Sequence, residues 1–356
     1  MTEKVINQPG VYDLTGQVLT HLVINASDVT IRGATVRDSV QEAIRIEDVQ
    51  RVTLQDCAVE GFNASGQQDQ YCAGIALWGS SQVTIAGCRI VTTGLYGNCV
   101  WGKAYKQEDL TDCRIEGNEF IGGFDGIGTE PEDTVWGGFK NTVIRGNRVV
   151  GFLDDGIQIE GSGENCVVEL NTIDGLSHGL VGIAFAPHLR GDLYIQNNII
   201  NWVWALFKCG DGGSGDVWVR GNTGWSLEDG VKQTNSGGMA RLHVRDNRFQ
   251  VGRYMYEVTD GAIAESANNL WAPAGAMAKY RGNRYDLAGL QTLGLEVGSN
   301  YAYGITEPAP APAPTPAPAP TPAPAPAPAL RRQVRVRDWN EATGKWVTKW
   351  VDKDKL

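Results

Sequence analysis

The chain has 356 residues, 45 of them glycine and only four methionine, and turn residues punctuate it about every ten positions, the pattern of an all-β protein rather than a helical one. Its net charge of −10 is uneven: residues 331–356 hold eight Lys/Arg against four Asp/Glu, leaving −14 on the rest, and an acidic body disfavours nucleic acid as a partner. Seven cysteines, odd in number and without a Cys-x-x-Cys spacing, argue against a disulfide framework or a zinc site and read as small buried hydrophobes.

Met1 to Ile6 has no apolar signal-peptide core, and no later run approaches a membrane span. The expected location is cytoplasmic, or virion-associated or extracellular after release by a non-classical route such as lysis. Residues Ile6 to Leu22, with the Pro9-Gly10 turn, are expected to cap the first coil of a repeat array, because an open end would expose unpaired apolar layers.

The array itself declares its period. Aligned on Val29-Thr30-Ile31-Arg32-Gly33, a short apolar strand leads into one small or amide residue: Ala34, Cys57, Cys88, Asn118, Asn147, Asn171, Asn198, Asn222, Asn247 and Asn283. A fixed recurrence of this size means stacked supersecondary units. Strand-only units with an internal asparagine column predict a single-stranded right-handed parallel β-helix of about ten coils over residues 1–306. Stacked amides exchange side-chain hydrogen bonds along such a column.

A second strand recurs in each unit, as in Glu42-Ala43-Ile44-Arg45-Ile46, Ala73-Gly74-Ile75-Ala76-Leu77 and Asp155-Gly156-Ile157-Gln158-Ile159. With the Ile, Val and Phe members inward, alternation sends Arg45, Ala76, Trp101, Gly128, Gln158, Ala184, Lys208 and Lys232 outward in one column. Glu47, Trp78, Lys103, Glu130, Glu160 and Ala186 form another. Aromatic rings beside carboxylates and lysines suit a sugar polymer, whose C–H faces stack on rings while its hydroxyls find polar partners. Trp78, Trp101, Lys103, Glu130, Gln158, Glu160 and Lys232 are the candidate substrate-binding residues. The alternative is a solvated sheet face with the two tryptophans under a loop.

The richest segment for chemistry is Phe152-Leu153-Asp154-Asp155-Gly156, with Asp125 one coil earlier and His178 and Lys208 on the next two. This order resembles the polygalacturonase-type glycoside hydrolases, which carry Asn-Thr-Asp, Asp-Asp, Gly-His-Gly and Arg-Ile-Lys on successive coils of a right-handed β-helix. The resemblance covers about 85 residues and implies Asp125, Asp154 and Asp155 as general acid and base, with His178 and Lys208 beside them. Gly123-Phe124 stands where the family has Asn-Thr, Ser177 replaces a glycine, and Leu206 occupies the place of the arginine tied to uronate binding.

An inverting pair needs its carboxyl groups roughly 6.5–9.5 Å apart, and outward carboxylates one coil apart with a slight offset can reach that. Asp125 with Asp155 is the first such pair and Glu130 with Glu160 the second. Crowding would raise one pKa, as a general acid requires. The competing reading makes Asp125 and Asp155 turn residues that cap their own backbone. No cofactor or metal is expected, except that a polysaccharide-lyase reading, with Lys208 or Lys232 as base, would bring in Ca²⁺ held by Glu130, Glu132 and Asp133. No phosphate loop, Gly-x-Ser-x-Gly elbow or His-Glu-x-x-His motif occurs.

Residues 307–329 alternate Pro and Ala, which predicts a stiff polyproline-type spacer. Residues 330–356 form a basic tail that reads as a hairpin. Two strands alone are marginal, so Trp339, Trp346 and Trp350 are expected to dock it on a partner. Two readings stay open. One is a carbohydrate-active enzyme that binds and cleaves a polysaccharide, hydrolase or lyase. The other is a non-catalytic glycan-binding or structural module, in the manner of a phage tailspike, which would imply a homotrimer or attachment to a larger assembly through the tail.

Overall fold

A computed structural model describes residues 2–40, 42–63, 72–92, 96–103, 109–130, 137–185, 189–210, 212–234, 241–259, 263–303 and 305, together with strands Gln333–Asn340 and Lys345–Asp352. The Pro-Ala tract 307–329 lies outside the described residues.

The repeat folds as a parallel β-helix with three faces. Val29–Arg32, Gln50–Gln55, Ser81–Ala86 and their successors stack into an 11-stranded sheet, the first face. Parallel registers such as Ile31↔Leu54, Ile85↔Ile115, Val168↔Ile195 and Val219↔Val244 place like on like. Each of those side chains is buried, so every coil adds a layer to one continuous core. A fully buried Val, Leu or Ile stabilises by about 1.5–3 kcal/mol, which is why the inward positions of this face are mostly apolar.

The second face carries Ala58–Phe62, Arg89–Thr92, Glu119–Ile121 and Arg148–Val150. The third carries Ala73–Trp78, Asn98–Lys103, Ile127–Glu130 and Asp155–Gln158. Three strands, Thr172–Ala184, Ile199–Cys209 and Thr223–Gln233, run through the corner and join both faces into one 21-stranded sheet.

Between the first and second faces lies the asparagine ladder. Asn118 Nδ2 donates to Ile85 O and to Asn147 Oδ1, both at 2.9 Å, and the same pattern runs through Asn147, Asn171, Asn198, Asn222 and Asn247. The last rung is Asn269, not Asn283: Asn247 Nδ2 donates to Asn269 Oδ1 at 3.0 Å. Asn283 sits exposed in a strand that pairs antiparallel with Met277–Tyr280. The rung was hidden because Ser266, in register with Val244, stands in strand Ile263–Ala267 where the earlier strands carry Ile or Val three residues before the asparagine, so the apolar strand pattern breaks there.

The stretch Ile6 to Leu22 is part of the stack rather than a lid over it. Thr2–Ile6 pairs with Val18–Ile24, and Gly10–Asp13 pairs with Val29–Arg32, all parallel. At the other end helix Leu287–Thr292, capped by Asp286, buries Leu287 and Leu290. Beside it the buried Glu296 accepts from Trp271 Nε1 at 3.1 Å, from Asn269 Nδ2 at 3.2 Å and from the Tyr256 hydroxyl, closing the ladder. All seven cysteines are buried and unbridged, and burial pushes the Cys99 thiol up to about 12 and the Cys113 thiol to about 11. Among the described residues no helix is long and apolar enough to cross a membrane. Gln333–Asn340 and Lys345–Asp352 form an antiparallel hairpin with Trp339 opposite Trp346.

Candidate active site

Parallel in-register stacking turns the third face into columns. Arg45, Ala76, Trp101 and Gly128 pair in that order, and Gln158, Ala184, Lys208 and Lys232 continue the line. Glu47, Trp78, Lys103 and Glu130 pair likewise in the next column. Three residues earlier runs a third: Asn98, Asp125, Asp155, Val181, Ala205 and Asp229.

In that third column Asp125 and Asp155 come together with Asp154, one oxygen from each lying within 4.8 Å of the others. Asp155 is fully buried, Asp125 is 2% exposed, and Asp154 is half-buried. The Asp125 N–H donates to Asn98 Oδ1 and the Asp155 N–H to Asp125 Oδ1, both at 2.9 Å. The Asp125 carboxylate thus bonds to the next coil rather than to its own turn. The spacing of the two carboxylates is that of adjacent strands, about 4.8 Å, because both side chains leave the same column in the same direction. It falls short of the 6.5–9.5 Å expected for a pair that admits water.

Lys208 reaches into this group from two coils away, its Nζ 2.5 Å from Asp155 Oδ2. The intervening outward positions are Val181 and Ala184, small enough to let the lysine stem pass, and with Ala205 they form a buried apolar patch. Burial raises Asp125 well above the ordinary carboxylate range, and the charges of Asp155 and Asp154 push it further. Burial lifts Asp155 to about 7, with the Lys208 ammonium pulling it down and Asp154 pushing it up. For Lys208, burial disfavours the charge, but Asp155, Asp154 and Asp125 outweigh it and the net shift is upward. Close carboxylates cannot all ionise. The arrangement therefore keeps the proton on Asp125 and the negative charge on Asp155, against lysine.

The remaining candidates fall into separate places. Trp101 is 4% exposed and is no platform: a Cβ at Gly128 would lie 2.3 Å from its ring and 3.6 Å from Asp125 Oδ2, so the indole lies on Gly128 as a wall beside the acid. Trp78 is half-buried against it. Only a glycine at 128 lets the ring approach so closely. His178 is exposed on the corner, and no hydrogen bond or ion pair among the described residues ties it to the aspartates. Gln158 Nε2 donates to Glu160 Oε1, and Glu160 N–H to Thr129 Oγ1 at 3.1 Å. Lys103 is half-buried, next in register to Glu130.

Lys232 belongs to a second charged group. Its Nζ is 4.0 Å from Asp229 Oδ2, and Asp229 is gripped by Arg253 through Nε at 3.0 Å and Nη2 at 2.5 Å. Arg253 also meets Glu228 and Glu257. The side chain of Glu130, with Glu132, Asp133 and Ala186, lies outside the described residues, so the Glu130–Glu160 pair and the Ca²⁺ ligand set do as well. The Asp125–Asp154–Asp155 trio is close enough to chelate a cation, but Lys208 already supplies a compensating charge to Asp155. Asn98 and Arg253 were not singled out from the sequence. Asn98 was visible there, one residue before Cys99 as Asp125 is one before Gly126.

A family model described as the right handed beta helix region matches residues 20–173 and 73–269, and the chain belongs to that family. Among solved structures it is similar to the hyperthermoactive exopolygalacturonase of Thermotoga maritima, with a TM-score of 0.51 and 12% identity over 80% of this chain and 85% of that one. It is also similar to a mannuronic acid specific family 6 polysaccharide lyase from human gut microbiota, with TM-score 0.49 and 11% identity over 84% and 83%. A third likeness is to the Siphovirus 9NA tailspike receptor binding domain, with TM-score 0.43 and 8% identity over 97% and 76%. At such identities the likeness is one of fold. No curated protein sequence matches the chain.

Proposed function

We propose that this protein is a carbohydrate-active β-helix that binds a polysaccharide along its third face and cleaves it by hydrolysis. The observation that carries the reading is the unequal trio: Asp125 driven toward its protonated form while Asp155, 2.5 Å from Lys208, holds charge beside it. Two close carboxyl groups in different protonation states are what acid and base assignments require. Asp125 would give its proton to the glycosidic oxygen. Asp154, the most exposed of the three, would act on the anomeric carbon directly or through water, with Asp155 and Lys208 fixing the charge around it. The 4.8 Å limit lies nearer the roughly 5–5.5 Å of direct carboxylate attack than the wider inverting spacing.

A lyase using Lys208 as base fits less well, since its pKa is raised and a base must give up its proton. A second reading, a glycan-binding module without turnover, is favoured by one fact: Asp125 and Asp155 are buried and Asp125 Oδ1 is spent on a backbone N–H. In that case the hairpin of residues 333–352 would serve to attach the module to a larger assembly. The test is release of reducing ends from a polysaccharide panel by the full chain and by Asp155→Asn. Release that the substitution abolishes, with no unsaturated uronate among the products, supports hydrolysis; binding without release leaves the second reading.

A further inference from the structure

One row of side chains lies immediately before the carboxylate column, half-buried at Phe124 and Asp154 and exposed at Leu180 and Trp204, where the column behind it is buried. Its members are Phe124, Asp154, Leu180 and Trp204, each one residue ahead of Asp125, Asp155, Val181 and Ala205. They are neighbours on successive coils: the Asp154 N–H donates to Phe124 O at 2.8 Å and the Leu180 N–H to Asp154 O at 3.0 Å. Leu180 is 47% exposed and Trp204 43%, whereas Val181 and Ala205 behind them are buried. Phe124 stacks on Tyr96 with ring centroids 6.3 Å apart. An aromatic or apolar surface therefore stands on both sides of the one accessible carboxylate, with Trp204 two coils, or about 10 Å, beyond it.

Among the described residues, the cations around this row are already met by carboxylates. On the third face Arg45 pairs with Glu47, Lys208 with Asp155, Arg253 with Asp229 and Glu257, and Lys279 with Glu257. Lys232 faces Asp229 and Lys103 is engaged as well. A polyanion laid here would have to displace a carboxylate from each cation it met, at the cost of leaving that carboxylate buried or unpaired. A neutral sugar has no such cost, and its C–H faces suit exposed rings and aliphatic groups.

We propose that the row Phe124–Asp154–Leu180–Trp204 is the glycan-binding edge of the site, and that it selects an uncharged polysaccharide over a polyuronate. This rests on the carbohydrate reading above but not on turnover.

The experiment measures binding of the full chain by calorimetry to neutral gluco-, manno- and galacto-oligosaccharides and, in parallel, to oligogalacturonate and oligomannuronate. At least one neutral series is expected to bind more tightly than either uronate series. Trp204→Ala should weaken that binding about tenfold, the scale of one lost ring contact, with Trp204→Phe recovering part of it and the melting temperature unchanged. Val11→Thr, at an exposed position on the first coil, serves as the control that leaves affinity unaltered. Tighter uronate binding, no binding of any neutral series, or affinity indifferent to Trp204→Ala each overturns the proposal. Neutral glycan bound but never cleaved would sink hydrolysis alone and leave this edge standing.

Discussion

Lys208 Nζ meets Asp155 Oδ2 at 2.5 Å although the two residues stand on coils separated by another, and the ion pair spans Val181 and Ala184 to do so. The contact ties three rungs of the third face together and sets which of the clustered carboxylates is charged.

Removing the lysine charge should therefore cost more than removing its partner. Lys208→Met strands a fully buried carboxylate, and breaking a buried pair in this way costs about 3–5 kcal/mol. Asp155→Asn should cost less, because Lys208 is 17% exposed and can turn to water. Urea denaturation of both variants at pH 8 and pH 5 checks this. The Lys208→Met loss should shrink at pH 5, where Asp155 takes up a proton and needs no cation.

Stability should fall as pH rises through the range in which Asp155 and Asp125 ionise. Both have folded pKa values raised above the unfolded carboxylate, Asp155 to about 7, so the folded state binds more protons than the unfolded one between about pH 4 and 7. Their contribution is complete below the unfolded value and is lost as pH climbs through the folded one. Asp155→Asn should flatten that part of the stability profile. A wild-type profile that rises steadily from pH 4 to 7, with no difference in the variant, would contradict it.

Turnover, if hydrolytic, should follow the same two groups with opposite demands. It needs Asp155 charged and Asp125 protonated, so the rate should rise through about pH 7 and decline again toward higher pH. A plateau extending down to pH 4 in the initial-rate profile would exclude Asp155 from the charged role.

Within the ladder, Asn198→Ala should destabilise by about 3–5 kcal/mol. It removes the acceptor used by the Asn171 N–H and Nδ2 and the donor to Val168 O and Asn222 Oδ1, and each buried group left unpaired costs about 1–3 kcal/mol. Hydrogen exchange should show the amides of the two flanking coils losing protection first, since each repeat contacts only its neighbours.

Gly128→Ala tests the wall beside Asp125. The added methyl would lie 2.3 Å from the Trp101 ring, which is buried on strand Asn98–Lys103 and can yield only by shifting that strand or its own rotamer. Overpacking of this kind costs about 1–3 kcal/mol. The variant should lose glycan affinity as well as stability if Trp101 shapes the groove; unchanged affinity would make the indole purely a packing element.

Much of this molecule is legible in its sequence. Alternation of side chains along each strand is strict, and identical units stack in register, so the outward column from Arg45 to Lys232 could be read directly off the spacing of the strands. The asparagine ladder was legible for the same reason up to Asn247. It failed at the next rung, where Ser266 replaces the Ile or Val of the earlier strands and the turn signal of Asn283 competed with Asn269.

The unit, its period, its handed parallel stacking and the direction of each side chain were properties of the sequence alone, because they depend on local alternation repeated without change. Which neighbours a side chain meets once it points outward depended on tertiary structure. Trp101 is buried rather than displayed because Gly128 leaves room for its ring, and Asp125 and Asp155 lie closer than the roughly 6.5–9.5 Å of an inverting pair because adjacent strands set their distance. Lys208 reaches Asp155 because two small residues lie under its path. Contacts across coils are set by side-chain length and by what the intervening rung leaves empty, and neither is written in the residue that makes the contact.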